Sequence, residues 1–551
     1  MKKLIIFIVI IIIVGLSGGA LYYYQINKPS EEVLSLNEEL YLIIEDKLIE
    51  ERRPVIFDND ILYFSFDIIK EYIDEDIFFD DEEKMIVFTN EDNVKRYKIG
   101  DNKASVNSRE FYINNPLKEI DSKVYIPIDI FLKDYDLDIN YYEKTNAVTL
   151  DFSNIYYLTG DIILEGGDIR TDLDIKSPIL AENLEIGSVL YVYGEYENWF
   201  KVRTLNGIPG FIEKRYIKLN HTKDIYKVEL INMEENQEAE FKVNLTWDYT
   251  YAKVKNTDNI IKIPGVNVIS PTWFSIVDDE GTILDKGNKE YVKKYNEMGY
   301  EIWPLINNDF DPDLTHEILK NSTGREKLIN NILELYLYYG FQGINIDFEN
   351  VYLKDRDLLT QFVRELYPIF KENNLKVSMD ITAISTSENW SLSYDRKRLQ
   401  KTVDYLIFMG YDQHWASSPI AGSVAQYSWV ENSLIGLFNE IPSEKLILAV
   451  PFYTRLWTIE EGKVTSKSIS MDSAKKFIDD NNISLFWDEE SAQYYGETEK
   501  DGKIYKIWVE DSDSLSYKAS LIHKYDLAGI ASWRKGFETP DIWVSIAGII
   551  N

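Results

Sequence analysis

The sequence predicts a multidomain chain: a C-terminal (β/α)8 barrel with an α+β insert, preceded by a small all-β barrel and an α+β stalk domain, with one N-terminal transmembrane helix. Three observations predict it. From about residue 239 onward, short apolar strands alternate with amphipathic helical stretches, the pattern of a parallel sheet or barrel. Between about 33 and 153 the chain repeats itself. At its start, a long apolar run follows the positive pair Lys2-Lys3.

A length of 551 residues exceeds one ordinary domain, and three or four are expected. Hydrophobic content of 45% with 14% aromatic residues suits packed cores and argues against disorder. The net charge of −34 argues against nucleic acid as a partner, because a phosphate backbone demands Lys and Arg. The absence of cysteine excludes disulfides, thiolate zinc sites and Cys nucleophiles. His221, His316, His414 and His523 are scattered without ligand spacing, so no metal site and no cofactor is predicted.

Residues 4–24 are long enough to cross a bilayer as a helix. The preceding lysines would keep the N-terminus in the cytoplasm and the remainder outside it. A cleaved signal peptide is the competing reading, with Ser17-Gly18-Gly19-Ala20 as the small-residue site; Tyr22, Tyr23 and Tyr24 suit an interfacial belt and an uncleaved anchor. Either way the bulk of the protein is expected to be extracytoplasmic, anchored to the cell membrane or secreted.

Within 33–153, Ile61 to Ile68 is echoed by Lys123 to Ile130. Each copy continues into a helical stretch, Ile69 to Tyr72 and Phe131 to Tyr135, and ends in an apolar strand, Met85 to Phe88 and Ala147 to Leu150. The region resembles the stalk domain first named from copper amine oxidases. No His or Cys stands in it to hold copper, and a spacer or wall-facing role is what the resemblance implies. Residues 160–219 read as short strands with turn signals, Val189 to Tyr193, Trp199 to Arg203 and Gly210 to Ile212. Asn198-Trp199-Phe200-Lys201-Val202, Gly207, Gly210-Phe211-Ile212 and Tyr216-Ile217 resemble the bacterial Src-homology-3-like domain. Tyr193, Trp199 and Tyr216 are either a ligand groove or the core of that small barrel.

In 239–551 the strand candidates are Phe241 to Leu245, Asn267 to Ser270, Glu301 to Ile306, the strand ending at Asp347, Lys376 to Ile381, Tyr405 to Tyr411, Leu446 to Phe452 and Gly529 to Trp533. Eight such units make a TIM barrel. An insert at 456–526, with a strand at Ile507 to Val509, is expected to wall the cleft.

The chemistry concentrates on Gly343-Ile344-Asn345-Ile346-Asp347-Phe348-Glu349. Alternation puts Asn345, Asp347 and Glu349 on one face and Ile344, Ile346 and Phe348 on the other. Two carboxyls stacked at a strand end cannot both ionise cheaply, so one should hold its proton near neutral pH. Such an acid can protonate a glycosidic oxygen. Other strand ends are loaded too: Met379-Asp380, Met409-Gly410-Tyr411-Asp412, Tyr453-Thr454-Arg455 and Trp533, with Tyr249, Trp273 and Trp303 near the first three strands.

The run resembles the Asp-x-x-Asp-x-Asp-x-Glu signature of glycoside hydrolase family 18, with Gln342 and Asn345 in place of the first two acids. The resemblance implies an enzyme, a glycosidase of the chitinase or N-acetylglucosaminidase type. Glu349 becomes the catalytic acid, Asp347 the acid that orients the substrate acetamide, and Tyr411 a hydrogen-bonding partner of that group. Substrate contacts fall to Asn345, Met409, Asp412, Trp533, Arg455, Tyr249 and Trp303. The implied mechanism is substrate-assisted retaining hydrolysis of β-1,4 bonds after N-acetylglucosamine. The partner is a polysaccharide carrying that sugar, peptidoglycan in the bacterial cell wall or chitin; the architecture is similar to the wall and spore-cortex members of the family. Since Asn345 removes a carboxylate, a non-hydrolytic, lectin-like wall protein is the alternative.

Overall fold

The structure is a computed structural model and describes residues 2–36, 40–153, 155, 157–220, 242–253, 257 and 260–550. Phe241, His221 and the expected barrel start at 239 lie outside the described residues. The chain forms two compact units, Met1–Ile77 with Ile99–Asn102 and Ile113–Glu235, and Phe78–Lys98 with Lys103–Tyr112 and Asn236–Asn551.

The N-terminus corrects one expectation. Lys2–Asn27 is a helix, yet among the described residues no helix is long and apolar enough to cross a membrane. The apolar run up to Val14 is followed by Gly15, Ser17, Gly18 and Gly19 and then by Tyr22, Tyr23, Tyr24 and Gln25. Glycines, a serine and tyrosines contribute little to transfer into hydrocarbon, so the predicted transmembrane helix is not supported.

In the first unit the internal repeat has a structural counterpart. Ile61–Ser65 and Lys123–Pro127 pair antiparallel, with Phe64 opposite Ile126. Each copy runs straight into a short helix, Phe66–Tyr72 and Ile128–Phe131, and the Ser65 side chain caps the first. A second four-stranded sheet sets Tyr41–Ile44 parallel to Ala147–Phe152. Residues 158–219 make a seven-stranded sheet. Within this unit Tyr193 packs on Tyr157 and Tyr191 beside Arg203, Trp199 is buried, and Tyr216 packs against the core of the sheet. Arg203 is itself buried in a bidentate pair with Asp151, at 2.8 and 2.7 Å.

The second unit holds the barrel. Its strands are β1 (Val243–Asp248), β2 (Val268–Ile276), β3 (Leu305–Asn307), β4 (Gly343–Asp347), β5 (Lys376–Ile381), β6 (Tyr405–Met409), β7 (Leu446–Pro451) and β8 (Gly529–Trp533). They pair in parallel in chain order, and β1 closes the ring by pairing with both β2 and β8. Alternate residues divide between two cores. Leu245, Trp247, Leu305, Ile407, Ile447, Ala449 and Ala531 fill the interior. Ile344, Ile346, Val377, Met379, Leu406 and Leu448 face the surrounding helices.

The third strand departs from expectation. Glu301–Ile302 and Leu305–Asn307 are separate pieces, because Pro304 between them has no N–H to give the ladder. Between β7 and β8 a five-stranded sheet grows out of Tyr453–Glu460 and contains Lys503–Val509, where a strand was expected.

The same unit contains a five-stranded meander, Phe78–Asp80, Met85–Thr89, Val94–Lys98, Lys103–Val106 and Arg109–Tyr112. It packs on helices α1 (Ser322–Tyr339) and α2 (Arg356–Glu372). Asp80 accepts from the Ser322 N–H at 2.6 Å, at the start of α1. Arg96 and Arg325 both bind Glu365, at 2.7 and 2.9 Å, and all three side chains are buried. Burial alone would raise the Glu365 carboxyl, yet Arg325 and Arg96 hold it below its usual value.

Candidate active site

The site lies where β4 ends. Asn345 is fully buried inside the barrel, and Asp347 and Glu349 follow it toward the mouth, both partly buried. The Asn345 amide is oriented from two sides. Trp247 of β1 donates through Nε1 to its Oδ1 at 2.7 Å. Since an indole only donates, the Nδ2 amide must face the other way, and it donates to Asp380 Oδ1 of β5 at 2.8 Å. Asn345 thus hydrogen-bonds within the barrel, to Trp247, Ser270, Ser378 and Asp380, and lies beneath Asp347 and Glu349.

Three carboxyls gather here. Ile346 pairs with Met379 in the β4–β5 ladder, so the next residues, Asp347 and Asp380, stand side by side on the inner face. Burial pushes Asp347 up to about 7, opposed in part by its hydrogen bond with Glu349. Burial, then the charges of Asp347 and Asp412, push Glu349 well above the usual carboxyl range, and the hydrogen bond to Asp347 adds to this. Burial and Asp347 raise Asp380 likewise, with the Asn345 amide opposing. A cluster of this kind keeps protons at neutral pH, and an acid that is protonated at pH 7 can serve as a proton donor.

The backbone that carries Glu349 is clamped. Buried Asn308, just beyond β3, accepts from Glu349 N at 3.1 Å and donates to Glu349 O at 2.8 Å. Buried Tyr394 donates its hydroxyl to Phe348 O at 2.8 Å. Neither role is legible in the sequence, because an Asn after a strand and a Tyr in a loop carry no local pattern. Only Asn308, the residue after β3, carries a signal of its own, a polar side chain at a strand end.

The remaining expected residues fall into two groups. Tyr411, after β6, has its phenol raised by burial and by the charges of Asp380, Asp347 and Glu349 among its neighbours. Met409 ends β6, half-buried. Asp412 takes a left-handed φ of 57° and accepts from Tyr453 at 2.6 Å and Arg455 at 2.9 Å. Trp533 ends β8, edge-on to Trp247 at 5.7 Å and to exposed Tyr249 at 6.2 Å. Of these, Asp412 and Tyr411 act electrostatically on Glu349, and Trp533 meets Trp247, the partner of Asn345. Trp303 does not join them. It is buried, stacked on Tyr405 at the start of β6, and donates to Glu301 at 2.8 Å. It closes the opposite end of the barrel, where a Cβ on Gly343 would come within 2.7 Å of its ring. Trp273 is likewise buried, among Tyr291, Tyr339 and Phe341. Among the described residues no group of His, Asp and Glu could hold a metal ion.

Residues 309–537 match Glycosyl hydrolases family 18, and residues 43–150 match the Copper amine oxidase N-terminal domain. The chain is 30% identical over 246 residues to a Bacillus subtilis (strain 168) protein that carries the name of a sporulation-specific glycosylase, covering 44% of this chain and 58% of that protein. It is 26% identical over 253 residues to the cortical fragment-lytic enzyme of the same organism, covering 45% and 58%. The chain therefore spans somewhat more than half the length of these relatives. In fold it is similar to a chitinase from Chromobacterium violaceum ATCC 12472, with a TM-score of 0.50 and 20% identity over 55% of this chain and 98% of the other. Residues 309–537 of the chain are a glycosyl hydrolases family 18 domain, and residues 43–150 are a copper amine oxidase N-terminal domain.

Proposed function

We propose that the barrel hydrolyses the β-1,4 bond after N-acetylglucosamine in peptidoglycan or chitin, by substrate-assisted retaining catalysis. The observation that carries this reading is Glu349, partly buried just past the end of β4 two residues after Asp347, with its main chain held by Asn308; burial raises its carboxyl. Glu349 gives its proton to the leaving oxygen as the glycosidic bond breaks. The acetamide oxygen of the sugar bonds to the anomeric carbon from the opposite face. Asp347 holds the acetamide N–H and balances the positive charge of the oxazolinium ion. Glu349, now ionised, takes a proton from water, whose oxygen displaces the acetamide and restores the original configuration. Tyr411 hydrogen-bonds the acetamide, and Trp533 provides the apolar floor on which the sugar ring rests.

Peptidoglycan is the favoured polymer. The relatives named for sporulation and for cortical fragment lysis support it, and so does a chain with further modules ahead of the barrel. Such a substrate would put the enzyme outside the cytoplasm. In this reading residues 160–219 serve as a spacer, since Tyr193 and Trp199 are engaged in packing.

The test is release of reducing ends from purified peptidoglycan and from chitin oligosaccharides. Glu349-dependent release of new N-acetylglucosamine reducing ends supports the reading, and the better substrate names the polymer class. Binding without release from either would favour the lectin-like alternative.

A further inference from the structure

We infer that Asp380 of β5 replaces the carboxyl that Asn345 lacks: it is the proton-holding partner of Asp347, kept in place by the Trp247–Asn345 relay. The inference rests on the hydrolase reading above. Asp347 must be an anion to balance an oxazolinium ion, yet it stands beside Glu349, which must start protonated. A second acid next to Asp347 can carry the proton that like-charge repulsion forbids to leave.

The geometry points to Asp380 for that task. The β4–β5 register sets it beside Asp347 on the inner face. It is buried, at 2% exposure. Its Oδ1 is occupied by the Asn345 Nδ2 at 2.8 Å, which leaves Oδ2 as the oxygen to carry a proton. Asp347 Oδ1, on the neighbouring strand, is buried without a hydrogen-bond partner in the structure. A buried acceptor of this kind costs about 1–3 kcal/mol unless something serves it, and a protonated acid alongside can. Asn345 is suited to orient Asp380. Trp247 dictates which end of the amide faces Asp380, and an aspartate at 345 would repel it. The titratable groups that bear on Asp380 are Asp347 and Glu349 from β4, Tyr394 beyond β5 and Tyr411 beyond β6. All are acids or phenols, so each added negative charge favours the proton on Asp380.

Asp380 is thus a positioning residue, acting through Asp347. The test compares Asp380→Asn, Asn345→Asp/Asp380→Asn and wild type in the full chain on a chitin oligosaccharide, with Glu349→Gln as the inactive reference. Asp380→Asn keeps the shape and removes the exchangeable proton. It is expected to lower kcat about a hundredfold with KM changed by less than about threefold, and to move a limb of the kcat pH profile. The double variant moves the carboxyl from β5 back to β4. It is expected to regain about tenfold or more of the lost kcat. Unchanged kcat and pH profile in Asp380→Asn would overturn the inference, as would a double variant no better than the single one. If wild type releases no reducing ends, the hydrolase reading fails instead, and Asp380 is judged by the pH dependence of Tm. Asp380→Asn must then flatten the loss of stability above neutral pH, and an unaltered curve would overturn the proton-holding role.

Discussion

Asn308 holds the main chain of Glu349 on both sides, accepting from its N–H at 3.1 Å and donating to its carbonyl at 2.8 Å. Its amide also donates to Thr315 at 2.9 Å, so the clamp is tied to the helix start beyond β3. Glu349 lies just past the last residue of β4, where ladder hydrogen bonds no longer constrain the chain. Asn308 supplies that constraint.

Asn308→Ala should therefore lower kcat by about tenfold to a hundredfold with KM little changed. A displacement of about 1 Å in an acid is enough for a loss of that order. Steady-state kinetics on an oligosaccharide check it, and a change confined to KM would contradict the clamp.

Tyr411→Phe removes one hydroxyl from the group of raised acids and leaves the ring. Turnover should fall by about tenfold to a thousandfold, as for loss of one oriented donor. The fold should persist, since the ring keeps its edge contact with Tyr453 at 6.3 Å. Circular dichroism and kinetics on the same sample separate the two effects.

Stability should fall as pH rises through neutrality. Asp347, raised to about 7, and Glu349 and Asp380, raised well above their usual values, bind protons more tightly folded than unfolded. Their contribution is full below the ordinary carboxyl range of about 4 and is lost as pH climbs through the folded values. Thermal unfolding from pH 4 to 9 should show this, and Glu349→Gln should reduce the slope. An equal slope in both proteins would contradict the assigned shifts.

Arg96→Met should destabilise the catalytic unit by about 3–5 kcal/mol, because it leaves buried Glu365 with Arg325 alone. Glu365→Gln in the same background should recover part of the loss. Chemical denaturation of the four-member cycle measures it. A single variant within about 0.5 kcal/mol of wild type would contradict a role for the meander in holding the barrel.

What the sequence revealed, and what it hid, follows from the range of the forces involved. β5 and β8 were legible at their observed bounds, Lys376–Ile381 and Gly529–Trp533, because Val377, Met379 and Ile381 alternate with Ser378 and Asp380 in the first and the second is short and largely apolar. The acids of β4 were legible through strand alternation. Trp303 was misleading because alternation gives a side, not an end: the ring points into the barrel but at the bottom, against Tyr405 and Gly343. Asp380 was visible as a strand-end acid, but its tie to Asn345 depends on register between two strands. The meander's hold on α2 was out of reach, since Arg96 and Glu365 stand 269 residues apart. The N-terminal apolar run suggests a membrane span that the helix does not support, as the glycines, serine and tyrosines after Val14 reduce its apolar length.

The most direct measurement is reducing-end release from purified peptidoglycan and chitin oligosaccharides by the wild-type chain and by Glu349→Gln. Release by wild type, with loss of about a thousandfold or more in Glu349→Gln while oligosaccharide binding persists, is the expected result. Near-normal turnover in Glu349→Gln would contradict Glu349 as the acid on which the proposed chemistry depends.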